Sequence, residues 1–300
     1  MTKALSAAAL GLALLLTATG SVAEGVKLGH GGLTLNANLE TASDDWQKGP
    51  VVLMTHGTLA HGGMEIMQAL QAALKDRGIS SLSITLSLGL DNRQGMYDCK
   101  TPHTHRHTDA IDEIGAWLGW LQSQGVGKVA LLGHSRGGNQ TARFAAARAD
   151  APLTAVILLA PQTWSADYPA QEYEKRHGKP LAAPLARAQQ LVAEGRGAAM
   201  LEHVDFIYCA DTSATAAAFV SYYAPDERMD TPRLLPDIEA PVLLIAASED
   251  EVVKGLIDKV EPLADGQRVQ LKVIDGADHF FRDLYAEDVA DAAQAALDGG

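Results

Sequence analysis

Three residues far apart in the chain have side chains that together could cleave an acyl bond. Ser135 lies in Gly133-His134-Ser135-Arg136-Gly137, Asp250 in Ser248-Glu249-Asp250-Glu251, and His279 in Asp275-Gly276-Ala277-Asp278-His279. A free serine hydroxyl is a weak nucleophile and needs a base to take its proton. His279 would supply that base, and Asp250 would hold the imidazole in the right tautomer and stabilise its charged form. Glu249 and Glu251 crowd the acid position and are alternatives to Asp250. Asp275 and Asp278 read as loop or capping residues.

The elements that must position these groups are legible around each of them. Val129 to Leu132 is a short apolar run that reads as a buried strand, and Gln140 to Ala149 reads as a helix. Strand, Gly-x-Ser-x-Gly and helix lift a serine onto a strained turn above a sheet. The glycines are required because a Cβ at either flanking position would strike the neighbouring strand or helix. Pro241 to Ala247 is a second buried-strand run ending just before Asp250. Gln270 to Ile274 alternates into a third strand, ending just before His279. Three strand ends would therefore bring the three residues to one edge of the sheet.

With these pieces in the order nucleophile, acid, histidine, the chain resembles the α/β-hydrolase superfamily from about Lys27 to the C-terminus. The resemblance implies an α/β fold with a mostly parallel central sheet, helices on both faces and a lid insertion. It also draws in Met54-Thr55-His56-Gly57-Thr58, which follows the apolar run Val51 to Leu53. By likeness to the family's His-Gly-x turn, the backbone N–H groups of Thr58 and Arg136 would form the oxyanion hole. A plain tight turn is the other reading of His56-Gly57. The family often has a glycine before its acid, where this chain has Ala247 and Ser248. Asp250 best matches the family's spacing from the strand end.

The remaining pattern alternates strand and helix. Strands are expected near Leu33–Leu39, Val51–Thr55, Ser81–Thr85, Lys128–Leu132, Ala155–Leu159, Pro241–Ala246 and Gln270–Ile274. Helices are expected near Met64–Asp76, Thr108–Gln124, Gln140–Ala149, Val252–Val260 and Leu284–Leu297. Such alternation predicts one parallel-sheet domain over residues 24–300. It breaks between Gln162 and Pro236, a proline-rich stretch with helical patches at Leu185–Glu194 and Thr215–Tyr223. In the family an insertion here forms a lid. Trp164, Tyr168, Phe206, Phe219, Tyr222 and Tyr223 cluster in it, either lining an apolar pocket or packing the lid onto the sheet.

Residues 1–23 read as a cleavable secretory signal, with Lys3, an apolar core from Leu5 to Leu16 and the small pair Ser21 and Ala23 before the cut. An uncleaved anchor is the alternative; past residue 23 no segment has spanning length. The expected location is therefore periplasmic or extracellular. The net charge of −13 repels phosphate backbones, which excludes nucleic acid as a partner. In an exported chain the two cysteines, Cys99 and Cys209, suggest a disulfide that would pin the insertion over the site; two free thiols are the alternative. His103, His105 and His107 alternate in an extended segment and could bind a metal, with His61, Asp98 and Asp109 as further ligands. Capping of the following helix or surface polarity is the preferred reading.

These observations lead to an expected serine hydrolase that cleaves small carboxylic esters through an acyl-enzyme, with no cofactor and no metal. A non-catalytic or metal-binding protein on the same fold is the rival. Thioester, peptide or carbon–carbon hydrolysis remains open within the fold. Dehalogenase and epoxide-hydrolase chemistry is disfavoured, because those relatives place an aspartate where this chain has Ser135.

Overall fold

The computed structural model describes residues 23–299. The export segment expected at 1–23 lies outside them except for its last residue. In chain order the described elements are β1 (Glu24–His30), β2 (Leu33–Glu40), β3 (Val51–Thr55), α1 (Glu65–Asp76), β4 (Ser80–Thr85), α2 (Asp109–Ser123), β5 (Val129–His134), α3 (Arg136–Ala147) and β6 (Leu153–Leu159). They continue with α4 (Tyr168–His177), α5 (Ala182–Ala193), β7 (Met200–Phe206), β8 (Cys209–Thr215) and α6 (Ala216–Tyr223). The last are β9 (Val242–Ala247), α7 (Leu256–Val260), β10 (Val269–Ile274) and α8 (Tyr285–Asp298).

Eight strands form one sheet in the order β1-β2-β4-β3-β5-β6-β9-β10. β1 and β2 run antiparallel at one edge, and every pairing from β4 to β10 is parallel. Parallel strands covered on both faces are continuous apolar runs, and β3 is buried at every position. Val52 and Met54 point to one face, where they meet Met67 and Leu70 of α1 and Val289 and Ala293 of α8. Leu53 points to the other, against Trp117 of α2 and Phe144 of α3. α1 buries Ile66, Met67, Leu70, Ala73 and Leu74, the spacing of a one-faced helix.

Three departures from the sequence reading have local causes. β1 joins β2 through Gly31 and Gly32, both at positive φ, a two-residue hairpin turn that glycine adopts without strain. The expected helix over Val252–Val260 forms only from Leu256, because the Val252 and Val253 N–H groups donate instead to Asp250 Oδ1 at 2.7 and 2.8 Å. The expected helix over Gln140–Ala149 begins earlier, at Arg136, directly after the serine. The stretch from 162 to 236 holds α4, α5, α6 and a separate antiparallel pair, β7 and β8. Among the described residues no helix is long and apolar enough to cross a membrane.

Candidate active site

Ser135 occupies the turn between β5 and α3 with φ 56° and ψ −123°, a strained conformation for a residue with a side chain. The turn closes because its glycines have no Cβ. One on Gly133 would lie 2.5 Å from Gly137 O, and one on Gly137 would lie 2.2 Å from His56 O. The serine N–H donates to Leu159 O of β6 at 2.9 Å, tying the strained residue to the adjacent strand.

The structure brings Ser135, His279 and Asp250 into one hydrogen-bonded chain. Ser135 Oγ lies 3.0 Å from His279 Nε2, and His279 Nδ1 lies 2.8 Å from Asp250 Oδ2. With Nδ1–H donating to Asp250, Nε2 is left to accept from the serine hydroxyl. Burial pushes the Asp250 carboxyl up, but the bonds from His279 and from the Val253 and Val252 N–H groups outweigh it and hold the carboxyl below its ordinary range. Glu249 and Glu251 take no part: Glu251 is exposed and pairs with Lys254, and the Glu249 N–H donates to Ala277 O. Asp275 meets Ser248 Oγ, and Asp278 pairs with Arg282.

His134 does more than complete the serine turn. Burial lowers its pKa to about 3, so it is neutral, and its Nε2–H donates to the His279 carbonyl at 2.9 Å. The residue before Ser135 therefore fixes the backbone of His279.

The turn at His56-Gly57-Thr58 packs against the serine, since a Cβ on Gly57 would lie 3.2 Å from Ser135 Cβ. Burial, with Arg93 beside it, lowers the His56 pKa to about 3. Nδ1–H of the neutral ring donates to Gly57 O at 2.8 Å, and Nε2 accepts from Leu86 N–H at 3.1 Å and from Arg93 Nη2 at 3.2 Å. Arg93 also donates to the carbonyls of Leu86, Ala60 and Gly95. Glu113 of α2 accepts from the N–H and hydroxyl of Ser87. Sequence reasoning missed Arg93 and Glu113: an arginine in a loop and a glutamate in a helix carry no signal that they are buried.

A cavity of about 380 Å³ opens on Ser135, with Thr58, Arg136, Gln162, Trp164 and Tyr168 in its walls. A narrower pocket of about 80 Å³ adjoins it at Arg136, Gln162, Trp164 and Tyr168 and reaches Tyr222, Tyr223 and Met229. Trp164, Tyr168, Tyr222 and Tyr223 thus face cavities, whereas Phe206 and Phe219 are fully buried packing. Cys99 and Cys209 are joined as a disulfide, which ties the loop after β4 to the start of β8.

His103, His105 and His107 correct the expectation of surface polarity or capping, since all three are buried. Their segment is extended, as read, and pairs with β8: His103 N–H donates to Ser213 O at 2.8 Å and Thr215 N–H to His103 O at 2.9 Å. The rings pack against residues of the 162–236 stretch. His103 stacks on Tyr97 and meets Phe206, and His105 Nδ1 lies 2.8 Å from the Tyr222 hydroxyl. Burial lowers His103 to about 4 and His105 to about 3. Among the described residues no three His, Cys, Asp or Glu side chains are grouped to hold a metal ion.

This architecture is shared with known proteins. The sequence model of the alpha/beta hydrolase family matches residues 51–292, and the chain belongs to that family. Similar solved structures include Est1E from Butyrivibrio proteoclasticus, with a TM-score of 0.64 at 17% identity over 91% of this chain and 99% of that one. A monoacylglycerol lipase from Paleococcus ferrophilus gives 0.58 at 18% identity, over 89% of this chain and 99% of that one. A thioesterase domain from the curacin biosynthetic pathway gives 0.55 at 17% identity, over 92% and 100%. No curated protein sequence matches the chain.

Proposed function

We propose that the protein is an exported serine hydrolase that cleaves carboxylic esters through an acyl-enzyme. The observation that carries this reading is the Ser135–His279–Asp250 chain of hydrogen bonds at the mouth of a cavity. Ser135 Oγ attacks the ester carbonyl as His279 Nε2 takes its proton. The N–H groups of Thr58 and Arg136 hold the oxyanion, where fixed dipoles need no reorganisation as charge develops. His279 then protonates the departing alcohol, leaving the acyl group on Ser135. Water, deprotonated by the same imidazole, releases the acid and restores the serine. The insertion at 162–236 serves as the lid that shapes the acyl and alcohol pockets.

The monoacylglycerol lipase and the thioesterase domain among the similar structures support acyl-group chemistry. Export is supported by the Cys99–Cys209 bond, because disulfides persist in oxidising compartments, and by the signal-like composition of residues 1–23. The test is intact mass after treatment with a fluorophosphonate. A single adduct is expected on the parent protein and none on Ser135→Ala. No adduct on folded parent protein would remove the serine-hydrolase reading.

A further inference from the structure

Next to Ser135 stands a cation that acyl transfer leaves unused. The backbone N–H of Arg136 belongs to the proposed oxyanion hole; its guanidinium does not. That guanidinium is held on two sides. Nε donates to Thr58 Oγ1 at 3.0 Å, and Cζ lies 5.2 Å from the centroid of the Tyr222 ring. Tyr222 is itself anchored by His105. The two terminal nitrogens have no hydrogen bond or ion pair with any described residue.

The other charges at the cleft are mostly matched. Glu172 pairs with Arg176, Glu251 with Lys254, and Asp230 with Lys259. Lys175, exposed at the rim, has no ion pair among the described residues and acts on Glu251 only through its electrostatic field. A chain of net charge −13 thus keeps an unpaired, half-buried arginine where the two cavities meet, beside its nucleophile. A charge partly withdrawn from water and left without an ion partner favours a ligand that supplies one. A guanidinium presents its donors in a planar fork that matches a carboxylate.

Resting on the serine-hydrolase reading, we infer that the substrate is an ester bearing a free carboxylate, and that the Arg136 side chain binds that carboxylate through its terminal nitrogens. Arg136 is then the residue that makes the enzyme select acid-bearing esters over neutral ones. The carboxylate could sit on either side of the scissile bond, and matched substrates separate the two placements. On the acyl side, the p-nitrophenyl monoester of adipic acid is compared with its neutral isostere, in which an isopropyl group replaces the carboxylate. On the alcohol side, the hexanoate of p-hydroxybenzoate is compared with that of p-cresol.

The quantity read is the charged-to-neutral ratio of kcat/KM, in which any general effect of a substitution on the chemistry cancels. On at least one side the ratio should fall about 10- to 100-fold from parent to Arg136→Met, the loss of a hydrogen bond to a charged group. Arg136→Lys should restore part of it. Ratios that agree within two-fold in parent and Arg136→Met, on both sides, overturn the proposal. Calorimetry of adipic acid monomethyl ester with Ser135→Ala, and with Ser135→Ala/Arg136→Met, reads the same contact without turnover. Binding lost in the double variant upholds the carboxylate site even if fluorophosphonate labelling fails. Labelling with unmoved ratios removes the carboxylate site and leaves the hydrolase.

Discussion

Replacing Glu113 with glutamine should stabilise the protein at neutral pH and do nothing in acid. The carboxyl lies buried in α2, with Oε2 2.8 Å from Ser87 N and Oε1 2.5 Å from Ser87 Oγ. Burial raises its pKa from 4.5 to about 7, against the opposing pull of the Ser87 bonds and of Arg93. Between those two values the folded chain keeps a proton that the unfolded chain has released. Unfolding therefore releases a proton, and stability falls as pH rises through that window. The contribution is fully present below pH 4.5 and gone above pH 7. The displacement corresponds to about 3 kcal/mol.

Glutamine has the same shape and never ionises. Its carbonyl oxygen can accept from Ser87 N–H while its amide donates to Ser87 Oγ. Urea unfolding of the parent and Glu113→Gln across this range reads the difference directly, because every other titrating group cancels between them. The two should coincide near pH 4.5, and the variant should be more stable by up to about 3 kcal/mol at pH 8. A difference that does not change with pH would refute the reasoning, as would a parent that is the more stable at pH 8.

Asp250→Asn should lower kcat about 10⁴-fold with little change in KM, because an amide facing His279 Nδ1 favours the tautomer whose Nε2 already carries a proton. A loss below ten-fold would remove Asp250 from its orienting role. The Cys99–Cys209 bond closes a sequence separation of 110. Cys99→Ser/Cys209→Ser should cost about 5 kcal/mol on the chain-entropy account. A chain of this size should then lose about 8 °C in Tm, read by calorimetry.

Chemistry concentrated at strand ends was legible; what holds it in place was not. Ser135 and Asp250 each follow an apolar run, which can be read without knowing its neighbours because it is buried on both faces, and His279 follows the alternating edge strand β10. β1 left a usable sign in Gly31-Gly32 between two alternating segments. β7 and β8 left little, because strands such as Cys209–Thr215 are largely polar and small. The histidines at 103, 105 and 107 were correctly placed in an extended segment, but Phe206 and Tyr222 determine their burial from about a hundred residues away. Arg93 and Glu113 were invisible for the same reason: a charged residue looks solvated until the fold shows what surrounds it.

The contacts that attach the insertion bear on how the cleft works. Arg143 of α3 pairs with Asp226 at 3.1 Å, Asn139 donates to Arg228 O and Thr231 Oγ1, and Gln162 N–H donates to Ser135 O. Gln140 Nε2 donates to His107 O, in the segment that pairs with β8. α3, which begins directly after Ser135, thus bonds the 226–231 margin of the stretch, while Ser135 itself bonds the Gln162 margin. The disulfide and the β8 pairing hold the opposite side. With polar and covalent ties at both ends, the cleft walls share one frame with Ser135, and a displacement of the 226–231 margin must break hydrogen bonds on α3, among them the buried Asn139–Thr231 bond. Leaving that buried pair unsatisfied costs about 1–3 kcal/mol, which opposes opening at this margin. Arg136 belongs to that frame, since it is held against Thr58 of the core and Tyr222 of the 162–236 stretch at once.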